Sequence, residues 1–192
     1  MSRIIAGVSG GTPLVSVPGN ATRPTTDRVK EALFSRLESL DVILDARVLD
    51  LYAGSGALGV ESASRGAASV ELVEFDAKAA AVCQRNAEAM NQALRRRVVG
   101  VQRSKVESFL QRVSLAGVDR WDLVFLDPPY PLDEDSLAAV LVALAPSLNP
   151  EAVVVVERSS RSPQPVWPDA LELFAQKKYG ETMIWFAQPA GE

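Results

Sequence analysis

Two groups of residues in this sequence have types and spacing suited to chemistry. The first is Asp127-Pro128-Pro129-Tyr130, which follows the apolar run at 123–126. Pro128 forces Asp127 out of the helical region and Pro129 does the same to Pro128, so the corner is stiff. The Asp127 carboxylate and the Pro128 carbonyl then face outward together as two acceptors, placed to take both hydrogens of a flat exocyclic amine. Such bonds draw the nitrogen lone pair out of conjugation and aim it at an electrophile. Tyr130 supplies a ring face on which an extruded base can stack.

The second group is Asp50-Leu51-Tyr52-Ala53-Gly54-Ser55-Gly56-Ala57-Leu58-Gly59, with Glu74 placed 20 residues after Gly54. Gly54, Gly56 and Gly59 match G-x-G-x-x-G between a strand and a helix, and an acid at that distance suits ribose hydroxyls. Glycines alone read as a dinucleotide site. Asp50 argues differently, because a carboxylate at the strand tip repels a pyrophosphate but pairs with an ammonium or sulfonium. S-adenosylmethionine carries both charges. Its expected cradle is Asp50, Tyr52, Ala53, Gly54, Ser55 and Gly56 from the loop, Glu74 and Phe75 from the next strand end, Ser104 further on, and Asp127.

These residues need strand ends to hold them, and the pattern provides them. Strands are expected at Arg47–Leu51, Ser69–Glu74, 98–102, 122–126 and 152–156, with helical spacing between them in Val106, Phe109, Leu110, Val113 and in Leu137, Val140, Leu141, Leu144. Strands alternating with helices imply right-handed crossovers and a parallel sheet covered on both faces. Two further strands, 171–176 and 182–187, flank a turn at Tyr179-Gly180 and give an antiparallel ending. Ahead of the sheet, residues 3–7 and 14–17 read as a short hairpin. A helix capped by Thr25 or Thr26 follows it, with Val29, Leu33, Leu37 and Leu40 on its apolar face. The expected division is an N-terminal extension at 1–40 and a main domain at 41–192.

Composition limits the chemistry further. The 192 residues include no histidine, which excludes imidazole bases, Ser-His or Cys-His nucleophiles and histidine zinc sites. A single cysteine, Cys83, fits a reducing cytoplasm. The longest uncharged stretch, residues 4–22, holds four Gly and two Pro and so predicts neither a membrane span nor a signal peptide. Net charge is −4, yet residues 1–36 carry Arg3, Arg23, Arg28, Lys30 and Arg36 against only Asp27 and Glu31. Arg95, Arg96, Arg97, Arg103 and Lys105 form a second basic cluster, while 121–157 holds seven acids and no Lys or Arg. Basic clusters on an acidic chain suit local contact with phosphates.

Taken together, Arg3-Ile4-Ile5-Ala6-Gly7, the run Arg23-Pro24-Thr25-Thr26-Asp27-Arg28-Val29-Lys30-Glu31-Ala32-Leu33-Phe34, the loop Gly54 to Gly59 and Phe125-Leu126-Asp127-Pro128-Pro129-Tyr130 resemble the RsmD family. The resemblance runs from residue 3 to about 185. It implies a Rossmann-like class I methyltransferase with a mostly parallel seven-stranded sheet. The implied activity is methyl transfer from S-adenosylmethionine to the 2-amino group of a guanine in bacterial 16S rRNA, without a metal. Asp127, Pro128, Pro129 and Tyr130 form the implied catalytic corner, and Arg3, Arg23, Thr25, Arg28 and Lys30 are the expected RNA contacts. Before Ser108-Phe109-Leu110 the family carries a small polar or acidic residue and Ala. This chain has Lys105-Val106, so Ser104 or the backbone takes the adenine contact. An adenine 6-amino methyltransferase would use the same corner. A nicotinamide dehydrogenase lacks its acid here, and a non-catalytic binding module has no use for Asp127.

Overall fold

In the computed structural model, residues 2–18, 26–117, 120–129 and 131–191 are described. Seven strands form one sheet: β1 Arg47–Leu51, β2 Ser69–Glu74, β3 Val99–Arg103, β4 Trp121–Leu126, β5 Leu148–Ser159, β6 Leu171–Tyr179 and β7 Thr182–Pro189. Their order is β3-β2-β1-β4-β5-β7-β6, parallel from β3 through β5 and antiparallel where β7 meets β5 and β6. Five α-helices cover it: α1 Asp27–Ser39, α2 Ala57–Ser64, α3 Ala77–Leu94, α4 Val106–Ala116 and α5 Glu134–Leu144.

Strand alternation sorts the apolar residues between two cores. Val48, Val70, Leu72, Leu123, Phe125, Val155 and Ile184 pack beneath α1, α2 and α3, whereas Leu49, Leu51, Val73, Val124, Leu126, Val154 and Val156 pack beneath α4 and α5. A strand buried on both faces leaves few polar positions, which is why β1 reads as Val-Leu-Asp-Leu and β5 as four consecutive valines. Strand order reverses between β1 and β4, and the loops leaving their carboxyl ends therefore diverge and open a crevice. The glycine loop and the Asp127 corner both leave the sheet there. β5 runs 12 residues, longer than the expected 152–156, because pairing with β4 reaches back to Leu148 and antiparallel pairing with β7 carries it on to Ser159.

The N-terminal hairpin takes a different form from two regular strands. Its legs meet in one antiparallel bridge, Arg3 with Pro13, supported by Ile4 N donating to Thr12 O (2.9 Å) and Leu14 N to Ser2 O (2.9 Å). Gly11 N also donates to Ile4 O (2.8 Å), and other backbone groups of the segment bond to the helices below. Ile5 N and Ala6 N donate to the Glu61 carboxylate at 2.7 and 3.0 Å, Val8 N to Ser64 O at 2.9 Å, and Val15 N to Asn86 Oδ1 at 2.9 Å. Ile4 and Leu14 join the core shared by α1, α2 and α3. Thr26 is the cap of α1, its hydroxyl accepting from Val29 N at 3.3 Å. Among the described residues no helix is long and apolar enough to cross a membrane.

Candidate active site

The glycine loop leaves β1 through Tyr52, whose backbone is left-handed at φ 61°. Gly54 also lies in the left-handed region, at φ 58°, and no atom lies within 4 Å of where its side chain would stand. The loop backbone is therefore open to close approach at that point. The other two glycines serve packing. A Cβ on Gly56 would stand 2.7 Å from Leu72 Cδ1, and one on Gly59 would stand 2.3 Å from Leu72 Cδ2, so a larger residue at either position would force the Leu72 side chain to move.

Two acids brace the loop. Glu74 accepts from Gly54 N (2.9 Å) on one oxygen and from Asp76 N (2.7 Å) on the other, which joins the ends of β1 and β2 and leaves lone pairs for further donors. Asp50 is buried, and its Oδ2 accepts from Gly59 N at 2.9 Å. That bond ties the strand tip to its own helix, so one carboxylate oxygen is committed to the fold as well as to any cation nearby. Burial, and then the Glu74 charge, push the Asp50 carboxyl up to about 7.

Around this frame, Phe75 exposes its ring at 59% with Lys105 Nζ 5.5 Å from the ring centre. Ser104 follows β3, its amide bonded to Glu74 O (3.1 Å) and its hydroxyl accepting from Arg112 (3.3 Å). Ala53 N donates to Val73 O (3.0 Å), and Ser55 O accepts from Asn86 Nδ2 (2.8 Å). Tyr52 packs its ring against the α4 and α5 core with its hydroxyl buried.

Asp127 leaves β4 beside this loop, half-buried, with Pro128 buried behind it and Pro129 exposed. Burial raises its carboxyl well above the usual range, as do Glu157 on β5 and Asp50 on β1, while Arg158 opposes them. The corner closes through Leu132 N donating to Pro129 O (2.9 Å), and Asp133 caps α5 on Ser136 N (2.7 Å).

Several contributors lie outside the motifs that the sequence offers. Arg158 Nη2 donates to Leu132 O (3.0 Å) and Glu134 Oε1 (2.5 Å), pinning the segment behind the corner to β5. Asn86 holds both the glycine loop at Ser55 and the N-terminal segment at Val15. Cys83, in α3, donates its thiol to Gly54 O (3.1 Å). An arginine inside an apolar strand and an asparagine on a buried helix face are the only local signals of the first two.

The expected RNA contacts divide. Arg28 is exposed, and so is Arg3, which pairs with Asp27 at 3.3 Å. Lys30 must be corrected. It is fully buried beneath the N-terminal segment, where its ammonium donates to Arg3 O and lies 3.8 Å from Glu61 Oε2, so no phosphate reaches it. Tyr130, Arg23 and Thr25 lie outside the described residues.

A seven-stranded sheet in this order, with a glycine loop and an Asp-Pro-Pro corner at its switch point, is the class I methyltransferase fold. The same fold is seen in the rRNA methyltransferase aviRa of Streptomyces viridochromogenes, with TM-score 0.69 and 19% identity over 94% of this chain and 91% of that one. The family model described as Conserved hypothetical protein 95 matches residues 2–188, and the chain belongs to that family, the RsmD family. Its relatives include Ribosomal RNA small subunit methyltransferase D of Haemophilus influenzae, 33% identical over 178 residues, or 93% of this chain and 89% of the relative. The solved yhhF protein of Escherichia coli shares 33% identity and TM-score 0.79 over 97% of both chains.

Proposed function

We propose that this methyltransferase moves a methyl group from S-adenosylmethionine to the 2-amino group of a guanine in small-subunit ribosomal RNA, in the cytoplasm. The observation that carries the reading is the meeting, at one switch point, of an open glycine backbone at Gly54 with the Asp127-Pro128-Pro129 corner at the end of β4, whose carboxylate and Pro128 carbonyl are the two acceptors of this reading. The relatives' names support the ribosomal substrate.

The residues fit the cofactor. Gly54 lets its methionine portion approach the backbone, Glu74 has lone pairs left for the ribose hydroxyls, and the exposed Phe75 ring offers a stacking face for adenine. Asp50 contributes negative charge on the side where an ammonium would rest. When bound, S-adenosylmethionine supplies a methyl made electrophilic by the sulfonium. The chain's part is orientation: Asp127 and Pro128 accept the two amine hydrogens, turn the lone pair outward, and Asp127 or water takes the departing proton. Orientation of this kind contributes about 7–11 kcal/mol in well-aligned systems. Arg3 and Arg28, with Arg23 and Thr25 ahead of α1, are the proposed RNA contacts.

The test is tritiated methyl transfer to small-subunit RNA, assembled subunits and DNA, followed by nucleoside analysis. Label recovered as N2-methylguanosine supports the reading. Label on the 6-amino group of adenine, or on DNA alone, refutes it.

A further inference from the structure

The Asp127 corner does more than hold an amine, because of what stands on the neighbouring strand. Leu126 pairs with Val156 in the parallel register of β4 and β5, so Asp127 and Glu157 follow as neighbours at the carboxyl edge. Phe125 and Val155 point to the α1 face, alternation puts Glu157 on that same face, and Asp127 is the first residue beyond the end of β4. Arg158, on the opposite face, is turned away to Leu132 and Glu134. Both acids are half-buried, and the charge of Glu157 is felt at Asp127. Pro128 and Pro129 have no N–H, so the corner offers acceptors at Asp127, Pro128 and Glu157 and no backbone donor between them.

An edge made of acceptors selects a base edge made of donors. Guanine presents N2–H2 and, next to it, N1–H. Adenine presents N6–H2 beside N1, a lone pair that would face a carboxylate. We infer that Glu157 is the residue that selects guanine, its carboxylate accepting N1–H while Asp127 and Pro128 hold the amine. This rests on the guanine 2-amino reading above. A carboxylate serves more than one donor, so other contacts of Glu157 remain compatible with the role.

The discriminating probe is 2-aminopurine, which keeps the 2-amino group, replaces N1–H by a lone pair and lacks O6, a loss common to wild type and variants that cancels when their ratios are compared. Once nucleoside mapping has located the methylated guanine, small subunits are assembled from ligated RNA carrying either guanine or 2-aminopurine at that position. Single-turnover kcat/KM is then measured for the wild type, Glu157→Gln and Glu157→Ala. The wild type should prefer guanine by roughly tenfold to a hundredfold, the worth of one specific base-edge contact. Glu157→Gln should reduce that ratio at least tenfold, because the amide can turn its N–H toward the N1 lone pair. Glu157→Ala should lose guanine activity without gaining on 2-aminopurine. Cofactor affinity by calorimetry should stay within a few-fold, which also reports folding. If Glu157→Gln does not fold, Glu157→Asp is scored on the same ratio, since it withdraws the carboxylate by one methylene. A guanine to 2-aminopurine ratio unchanged by these substitutions overturns the inference while leaving the functional reading intact. Wild-type label at an atom other than guanine N2 overturns the reading itself, and this inference with it.

Discussion

Single carboxylates carry both the proposed chemistry and the expected pH behaviour of this site. Asp127 is also an expected member of the cofactor cradle, but its proposed work is on the nucleophile, and Glu74, Gly54 and Asp50 brace the cradle without it. Asp127→Ala should therefore lower the methyl-transfer rate by about 10²- to 10⁴-fold while cofactor affinity stays within a few-fold. Calorimetry beside a single-turnover assay checks both parts, and loss of cofactor binding would reassign the residue. Asp50 makes a separate prediction. Its folded-state value of about 7 stands above the ordinary 3.8, so between those values the folded protein holds a proton that the unfolded chain has released. Stability then declines as pH rises through that window, at a slope approaching about 1.4 kcal/mol per pH unit, and levels off above it. Asp50→Asn, whose side-chain oxygen can still accept from Gly59 N, should remove this part of the decline. Urea unfolding between pH 4 and 8 compares the two proteins.

Between elements, α2 lies close enough to β2 at Gly59 that Leu72 and Val70 fill the place of a Cβ. Gly59→Ala would drive a methyl into Leu72 and Val70, whose nearest atoms stand 2.3 and 2.8 Å from the new carbon. Overpacking of this kind costs about 1–3 kcal/mol. Truncating Leu72 opens the space again, so the cost of Gly59→Ala should be smaller in a Leu72→Ala background. A double-mutant cycle in denaturant measures the difference, and strict additivity would show that α2 moves away from β2 instead. The element following the corner is held from a distance: Arg158, on β5, fixes residues 132–134 through a carbonyl and a carboxylate, so the corner is anchored by the sheet's far half.

Across the whole molecule, the N-terminal segment is bolted to the sheet domain by Glu61. This buried carboxylate accepts from Ile5 N, Ala6 N and Arg65 Nε (2.8 Å) and lies beside Lys30, whose ammonium burial drives toward the neutral form. Glu61→Ala strands a buried cation and two amides together and should cost about 3–5 kcal/mol. Lys30→Met removes the buried charge and leaves Glu61 its other donors, so it should cost less. The same pair of ideas separates structure from RNA binding. Arg28→Ala should flatten the salt dependence of RNA affinity by about 0.7 log units per log salt, whereas Lys30→Met should leave the slope unchanged. Filter binding across a salt series decides between them, and a shallower slope for Lys30→Met would show that the segment lifts to free it.

The strands, the glycine turn, the stiff corner and the family follow from the linear chain alone, because each depends on residues a few positions apart. Period-two and period-3.6 patterns, the φ limits of proline and the missing Cβ of glycine act locally and are legible in a linear reading. Contacts between distant segments decided the rest. Lys30 looks like a surface cation until residues 2–14 fold over it and Glu61 arrives from α2. Residues 3–7 have the apolar content of a strand, yet the amides of Ile5 and Ala6 go to a carboxylate more than fifty positions away. Glu157 reads as the polar end of a valine strand, and only the register of β4 against β5 sets it beside Asp127. Register and docking are fixed by the summed burial of two core layers, a quantity that no local stretch of sequence contains.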